Sequence, residues 1–215
     1  FTAIGASSFD SAGNTITTTG LADTVGGAIT VTTSTGDLTT GPFYANGGNV
    51  TSGAGKAGGA VTLNAGDELK IYGLIDARGS AGVSDTGGAS RGVSLTGANG
   101  IINSGTIDTS GGTGSTVGAG GDVTFNDDVT WDFDLSVDTG AGAGDITFAG
   151  TLDSKASQAK DVTLTAGAGN INFDGAVGDG EDAALGDVTI TSAVTVDTDG
   201  VFKAASFTQS AGSGL

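Results

Sequence analysis

Two stretches of sequence decide the fold: Gly26-Gly27-Ala28-Ile29-Thr30-Val31 and Gly58-Gly59-Ala60-Val61-Thr62-Leu63. Each places a β-branched residue, a Thr and a large apolar residue shortly after a pair of glycines. Similar triplets recur as Val93-Ser94-Leu95, Val123-Thr124-Phe125, Ile146-Thr147-Phe148, Val162-Thr163-Leu164 and Val188-Thr189-Ile190. Successive copies are 32, 32, 30, 23, 16 and 26 residues apart. An imperfect repeat with this range of spacings is typical of stacked supersecondary units.

The repeats have the pattern of short β-strands. Apolar and polar residues alternate, β-branched residues are abundant, and the runs end at Gly, Asn or Asp. The clearest alternation covers residues 129–137, where Val129, Trp131, Phe133, Leu135 and Val137 are expected to face one side. Short strands joined by Gly-containing corners, repeated about every 20 to 32 residues, predict an all-β parallel solenoid in which each turn pairs with its neighbours.

Glycine accounts for 42 of the 215 residues, and this abundance fits a solenoid. The glycines supply corners that need positive φ or close backbone approach, while the few large apolar residues fill a thin stacked core. We expect one solenoid over residues 1–215, with long-looped turns over 1–121 and tighter turns over 122–215. The Gly- and Ser-rich loops expected to protrude at one corner are residues 45–59, 79–92 and 110–121.

Charge and missing residue types exclude several classes of function. Lys and Arg total 7 against 24 Asp and Glu, and a net charge of −17 repels phosphate backbones, so we expect no nucleic-acid binding. The absence of Cys and His removes disulfides, zinc–thiolate sites and Ser-His-Asp catalysis. No stretch approaches 18 apolar residues, so we expect no membrane insertion.

Six segments share a pattern of small residues around short β-branched runs: 47–51 (GGNVT), 59–63 (GAVTL), 105–111 (GTIDTSG), 161–167 (DVTLTAG), 169–178 (GNINFDGAVG) and 205–212 (ASFTQSAG). These segments resemble the repeats of filamentous-haemagglutinin-like exoproteins, which are long bacterial surface or secreted proteins that include those described only as β-strand-repeat proteins. The similarity extends over at least residues 26–215. It implies a right-handed parallel β-helix outside the cell that acts as an adhesin stalk or fibre.

Neither end of the sequence has the polar cap that single-chain solenoids use. Residues 1–4 (FTAI) are largely apolar, no Met precedes them, and the last residues stop within a repeat. We therefore expect a processed product or a segment of a longer chain. The predicted function is a non-enzymatic extracellular or cell-surface protein, the shaft or subunit of a fibre or adhesin. Its expected partners are identical subunits or adjoining solenoid segments, and a host-cell or matrix surface is a further candidate.

The densest acidic feature gives a candidate Ca²⁺ site, because Ca²⁺ prefers carboxylate oxygens. Residues 92–154 contain nine Asp and no Lys or Arg. No EF-hand or tandem nonapeptide motif accompanies them, so a solvated acidic face that keeps a rod soluble is the favoured interpretation. The candidate metal ligands are Asp127, Asp128, Asp132, Asp134 and Asp138.

Two alternatives concern binding and catalysis. The main alternative is an adhesin or glycan-binding module that uses the three protruding loops. A polysaccharide-acting β-helix enzyme would need paired carboxyl groups in a groove. Arg78 and Arg91 lie far in sequence from Asp127 and Asp128, and no pair is evident, so the enzyme is less favoured.

A third alternative is an ice-binding face made from the central residue of each triplet. These residues are expected to form one outward column, and a second Thr follows some of them. Asn64, Asn126 and Ala149 interrupt the second column, so β propensity on an exposed face is the favoured explanation. The expected first column is Thr30, Thr62, Ser94, Thr124, Thr147, Thr163 and Thr189.

Overall fold

The computed structural model describes residues 1–155, 157–181 and 183–212. In these ranges the chain forms twenty-two β-strands and no helix. The ladders between strands are parallel and form three sheets. The chain adds one strand to each of the three sheets in order and then begins the next coil of the solenoid. This winding makes a β-solenoid of about seven turns and confirms the predicted fold class.

Each sheet takes one strand from successive turns. Sheet A consists of β1 (Thr2–Ala6), β4 (Ile29–Thr33), β7 (Val61–Ala65), β10 (Val93–Gly97), β13 (Val123–Phe125), β16 (Ile146–Phe148), β19 (Ile171–Phe173) and β21 (Val196–Thr198). Sheet B consists of β2 (Phe9–Asp10), β5 (Leu38–Thr40), β8 (Leu69–Ile71), β11 (Ile101–Asn103), β14 (Val129–Trp131) and β17 (Leu152–Ser154). Sheet C consists of β3 (Ile16–Thr17), β6 (Phe43–Tyr44), β9 (Ile75–Asp76), β12 (Thr106–Asp108), β15 (Leu135–Asp138), β18 (Val162–Thr165), β20 (Leu185–Ser192) and β22 (Ala204–Gln209).

We number the levels of the stack 1 to 8 by the strands of sheet A, from β1 to β21. At levels 7 and 8 single parallel bridges through Val177 and Phe202 continue the line of sheet B. Strands in a sheet are about 4.8 Å apart, so the first and last levels are separated by about 34 Å.

Inward-facing residues form a thin core of stacked side chains. In sheet A, Val31, Leu63, Leu95 and Phe125 are register partners on successive strands, and all four are buried. The column continues with Phe148, whose ring stacks on that of Phe125 with centroids 4.7 Å apart. Because the register places equivalent residues above one another, each core side chain packs mainly on its neighbours in the levels above and below.

The prediction of one continuous strand over residues 129–137 is wrong, because the chain turns a corner between β14 and β15. Trp131 is buried as predicted, but Phe133 lies at the corner and is 60% exposed. The Lys160 Nζ atom lies 5.9 Å from the centroid of the Phe133 ring. The alternation of apolar residues continues on both sides of the corner, so periodicity did not reveal it.

The three long Gly-rich loops lie at the corner between sheets C and A, as expected. They do not project singly, because their backbones hydrogen-bond to one another from level to level. The Gly47 amide donates to the Arg78 carbonyl at 2.9 Å, and the Gly79 amide donates to the Ser110 carbonyl at 3.0 Å. We call this stacked extension, residues 45–60, 77–92 and 109–122, the fin. Side chains would block it: a Cβ on Gly112 would overlap the Ser80 carbonyl oxygen.

The predicted single column of triplet centres is also wrong in its last two members. Thr163 and Thr189 lie in sheet C, in β18 and β20, while the other five lie in sheet A. The two sheets receive the same sequence pattern because a buried–outward–buried triplet suits either face. The observed outward column of sheet A is Thr2, Thr30, Thr62, Ser94, Thr124, Thr147, Asn172 and Asp197.

Candidate functional site

The two ends of the solenoid are open in the described part of the chain. At level 1, strands β1, β2 and β3 each have a neighbour on one side only. Ile4 and Leu21 at this end are 70% and 80% exposed. At level 8, β21 and β22 are likewise edge strands, and Val194 and Val201 near this end are exposed.

Backbone groups of β1 face away from the stack at level 1. The Thr30 amide donates to the Phe1 carbonyl at 2.9 Å, so Phe1 faces β4. Alternate residues of a strand turn their backbone groups toward opposite neighbours, so Thr2 and Ile4 direct theirs away from β4. Such an edge is a template for a further strand.

Aromatic rings lie at both ends of the core. At level 1 the rings of Phe1 and Phe9 meet edge to face, with centroids 6.4 Å apart. At level 8 the ring of Phe202 makes edge contacts with Phe173 and Phe207, each at 5.6 Å. Phe9, Phe202 and Phe207 are only partly buried against the core. A further coil at either end would therefore cover aromatic surface as well as pair a strand edge.

The five predicted Ca²⁺ ligands lie at three separate places. Asp127 and Asp128 lie between β13 and β14, Asp132 and Asp134 lie between β14 and β15, and Asp138 ends β15. All five have local partners: the amides of Gly97, Thr151, Asp161 and Gly140 donate to Asp127, Asp128, Asp134 and Asp138, and Lys155 pairs with Asp132. Among the described residues no group of three or more acidic side chains is arranged to hold a metal ion. Calcium binding stays a prediction.

A ladder of carboxylates that sequence reasoning missed lies on the outer face of sheet C. Asp76, Asp108 and Asp138 are register partners on β9, β12 and β15. Arg78 forms a two-point ion pair with the buried Asp76, with Nε to Oδ1 and Nη2 to Oδ2 both 2.8 Å. The same Nε atom lies 3.5 Å from Asp108 Oδ2. The single positive charge of Arg78 therefore lies beside the negative charges of two of the three acids.

The ionisation of the ladder follows from these contacts. The hydrogen bond to Asp76 is the main reason that the pKa of Arg78 is raised. Burial raises the pKa of Asp138, and the neighbouring charge of Asp108 adds to the effect. The Gly140 amide, which donates to Asp138 Oδ1 at 2.7 Å, opposes this rise. The fold thus holds Asp138 less favourably as an anion than water holds a free carboxylate.

A groove of about 350 Å³ runs along the fin beside this ladder. Its lining contains one segment from each of the three Gly-rich arms, and Arg78 is its one charged side chain among the described residues. None of the described carboxylates lines this groove, whereas glycoside hydrolysis uses a pair of them. The lining consists of Asn46, Gly47, Asn49, Arg78, Gly79, Ser80, Ala81, Ser110, Gly111, Gly112 and Thr113.

Comparisons of the chain with protein-family models, curated proteins and solved structures find no match. The solenoid fold by itself does not identify filamentous-haemagglutinin-like exoproteins, so that resemblance stays a prediction. Within the described ranges no helix is long and apolar enough to cross a membrane.

Proposed function

We propose that this chain is a non-enzymatic structural module of an extracellular fibre or adhesin shaft, and that its ends stack head to tail on further β-coils. The observation that supports this proposal is that, among the described residues, the terminal strands of a regular parallel stack have a neighbouring strand on one side only, and apolar side chains are exposed near both ends. The coil that stacks there belongs to an identical chain or to an adjoining solenoid segment. Backbone ladders and the stacked core supply stiffness, and the charge of −17 keeps rods apart laterally.

Substitution of Ile4 by Pro tests the proposal at the level 1 edge. Pro removes an amide that faces away from β4 and an exposed apolar side chain, so it should block a docking strand with little change within the stack. We expect sedimentation velocity of the unaltered chain at physiological salt to show association that grows with concentration. Ile4→Pro should weaken that association at least tenfold.

Val117→Ser is the matched control, because Val117 is an exposed apolar residue of the fin away from both ends. It should associate like the unaltered chain. A chain that stays monomeric at every concentration, or an equal loss in both variants, would contradict stacking of identical chains through the ends.

The fin groove favours a second candidate function, a glycan-binding module. The three loops that the sequence suggested for this role converge on one groove, with side-chain amides, hydroxyls and Arg78 as polar groups. Asn49→Ala removes an exposed groove amide and should reduce binding on a glycan array. Asn99→Ala, an exposed Asn bonded to Asp67 outside the groove, should leave binding unchanged. Absence of binding by the unaltered chain would dismiss this function.

A further inference from the structure

The outward face of sheet A differs from the other two faces of the solenoid. Charged residues interrupt the outward column of sheet B at Asp10, Lys70 and Asp153. The ladder of Asp76, Asp108 and Asp138 occupies that of sheet C. The central column of sheet A has no charged residue from level 1 to level 7, in a chain with 31 charged residues.

This face carries hydroxyl and amide groups in two parallel columns. Thr30, Thr62, Ser94, Thr124 and Thr147 are register partners at levels 2 to 6. Beside them Thr32, Asn64 and Thr96 are register partners at levels 2 to 4, and Asn126 follows at level 5.

Asn64 and Asn126 replace Thr hydroxyl groups of the second column with amides, and Ala149 ends the polar part of this column at level 6. The Asn126 Nδ2 atom lies 3.1 Å from both Ser94 Oγ and Thr96 Oγ1. It therefore links side chains of two successive levels. Charged groups lie only beside the two columns over levels 2 to 6, for example Arg91 and Asp122 in a shallow depression around Thr62 and Ser94.

The spacing of these groups resembles that of ordered water. In a tetrahedral network with hydrogen bonds of about 2.8 Å, second neighbours lie about 4.6 Å apart. Neighbouring strands are about 4.8 Å apart, so the hydroxyl groups of successive levels nearly match that repeat. Along a strand, outward residues two positions apart are separated by about 6.6 Å. The corresponding distance in the tetrahedral water network, the repeat along the direction in which its layers are stacked, is roughly 7.5 Å. The match is thus closest across the strands, the direction in which the array is longest.

From this geometry we propose that the outward face of sheet A, at levels 2 to 6, binds ice. Each hydroxyl both donates and accepts hydrogen bonds and can hold a water molecule in a lattice position, while the Thr methyl groups exclude water between the columns. Without charged side chains in the central column, no strongly bound hydration shell competes with that order. The ice-binding face does not include the solenoid ends, so an experiment can contradict ice binding without contradicting the proposed shaft function.

Three exposed outward Thr residues, each the second residue of its strand, allow a matched test, one on each sheet. They are Thr62 on sheet A, Thr130 on sheet B and Thr163 on sheet C. The unaltered chain should shape ice crystals and inhibit ice recrystallisation. Thr62→Lys should lose most of this activity at equal concentration, whereas Thr130→Lys and Thr163→Lys should keep it. Thermal unfolding of each variant checks that the fold is intact.

Thr62→Val separates the hydroxyl from the effect of an added charge. It keeps the branched shape and should lose part of the ice activity. No effect on ice by the unaltered chain, or equal losses in all three Lys variants, would overturn the proposal. Binding to a crystalline polysaccharide that depends on Thr62, without any effect on ice, would also overturn it and assign the face to a different ordered ligand.

Discussion

Replacement of Phe148 by Ala tests the stacked core most sharply. The Phe148 side chain is fully buried at level 6. Its ring lies between Phe125, 4.7 Å away with planes 4° apart, and Phe173, 5.3 Å away with planes 6° apart. Truncation to Ala therefore leaves a cavity and removes two ring contacts at once.

The expected loss is about 3–5 kcal/mol, the usual cost of truncating a buried Phe, and the lost ring contacts place it toward the upper end. For a chain of this length each kcal/mol lowers the melting temperature by about 2–4 °C, so we expect a drop of about 6–20 °C. Since each level of a solenoid contacts only its neighbours, the loss should appear first at levels 5 to 7.

Differential scanning calorimetry gives the melting temperature, and hydrogen exchange locates the weakened levels. Phe133→Ala is the control, because this Phe is exposed at a corner and its loss should cost well under 1 kcal/mol. If Phe148→Ala melts within 2 °C or so of Phe133→Ala, or if protection falls evenly along the chain, the stacked aromatic column does not stabilise the solenoid as argued.

Two further predictions concern the fin and the carboxylate ladder. Gly112→Ala should cost about 1–3 kcal/mol in urea unfolding, because its Cβ would meet the backbone of Ser80, whereas Gly27→Ala, with more space, should cost much less. Equal costs would contradict close packing in the fin. Asp138→Asn should stabilise the chain by about 0.2–1 kcal/mol at pH 7, because it removes a carboxylate that is partly buried and lies opposite Asp108. The raised pKa of Asp138 means that its anion opposes folding, so this gain should vanish in acid, where the carboxyl is protonated in both states. A gain that persists unchanged in acid would refute that explanation.

Much of the fold could be predicted because the solenoid repeats a local pattern. The triplets at 29–31, 61–63 and 93–95 lie 32 residues apart and occupy the same sheet in direct register. The Gly-rich stretches at 45–59, 79–92 and 110–121 mark the corner from which the fin extends. Both signals are local, since a strand and its corner are fixed by neighbouring residues.

The assignment of strands to faces could not be predicted in the same way. Residues 162–164 repeat the triplet of 146–148 only 16 positions later, and the structure places them in sheet C. All three faces need inward apolar residues at alternate positions, so the triplet does not specify a face. For the same reason the corner at Phe133 was hidden within a regular alternation.

The carboxylate ladder could have been found from the spacing of the repeat. Gly73–Gly79 and Gly105–Gly111 align 32 residues apart, which places Asp76 and Asp108 at equivalent positions. Reasoning from local acidic density favoured Asp127 and Asp128 instead. In a solenoid, residues one repeat apart are neighbours, so equivalent positions in successive turns indicate proximity better than nearness in sequence does.

Electron microscopy of the purified chain over a range of concentrations tests the central claim, that the open ends stack on further coils. Eight levels at about 4.8 Å give about 38 Å of rod per chain when one chain follows another without a gap. We expect rods that lengthen with concentration in steps of about 38 Å. Particles that remain one chain long at every concentration, or that associate side by side without lengthening, would contradict it.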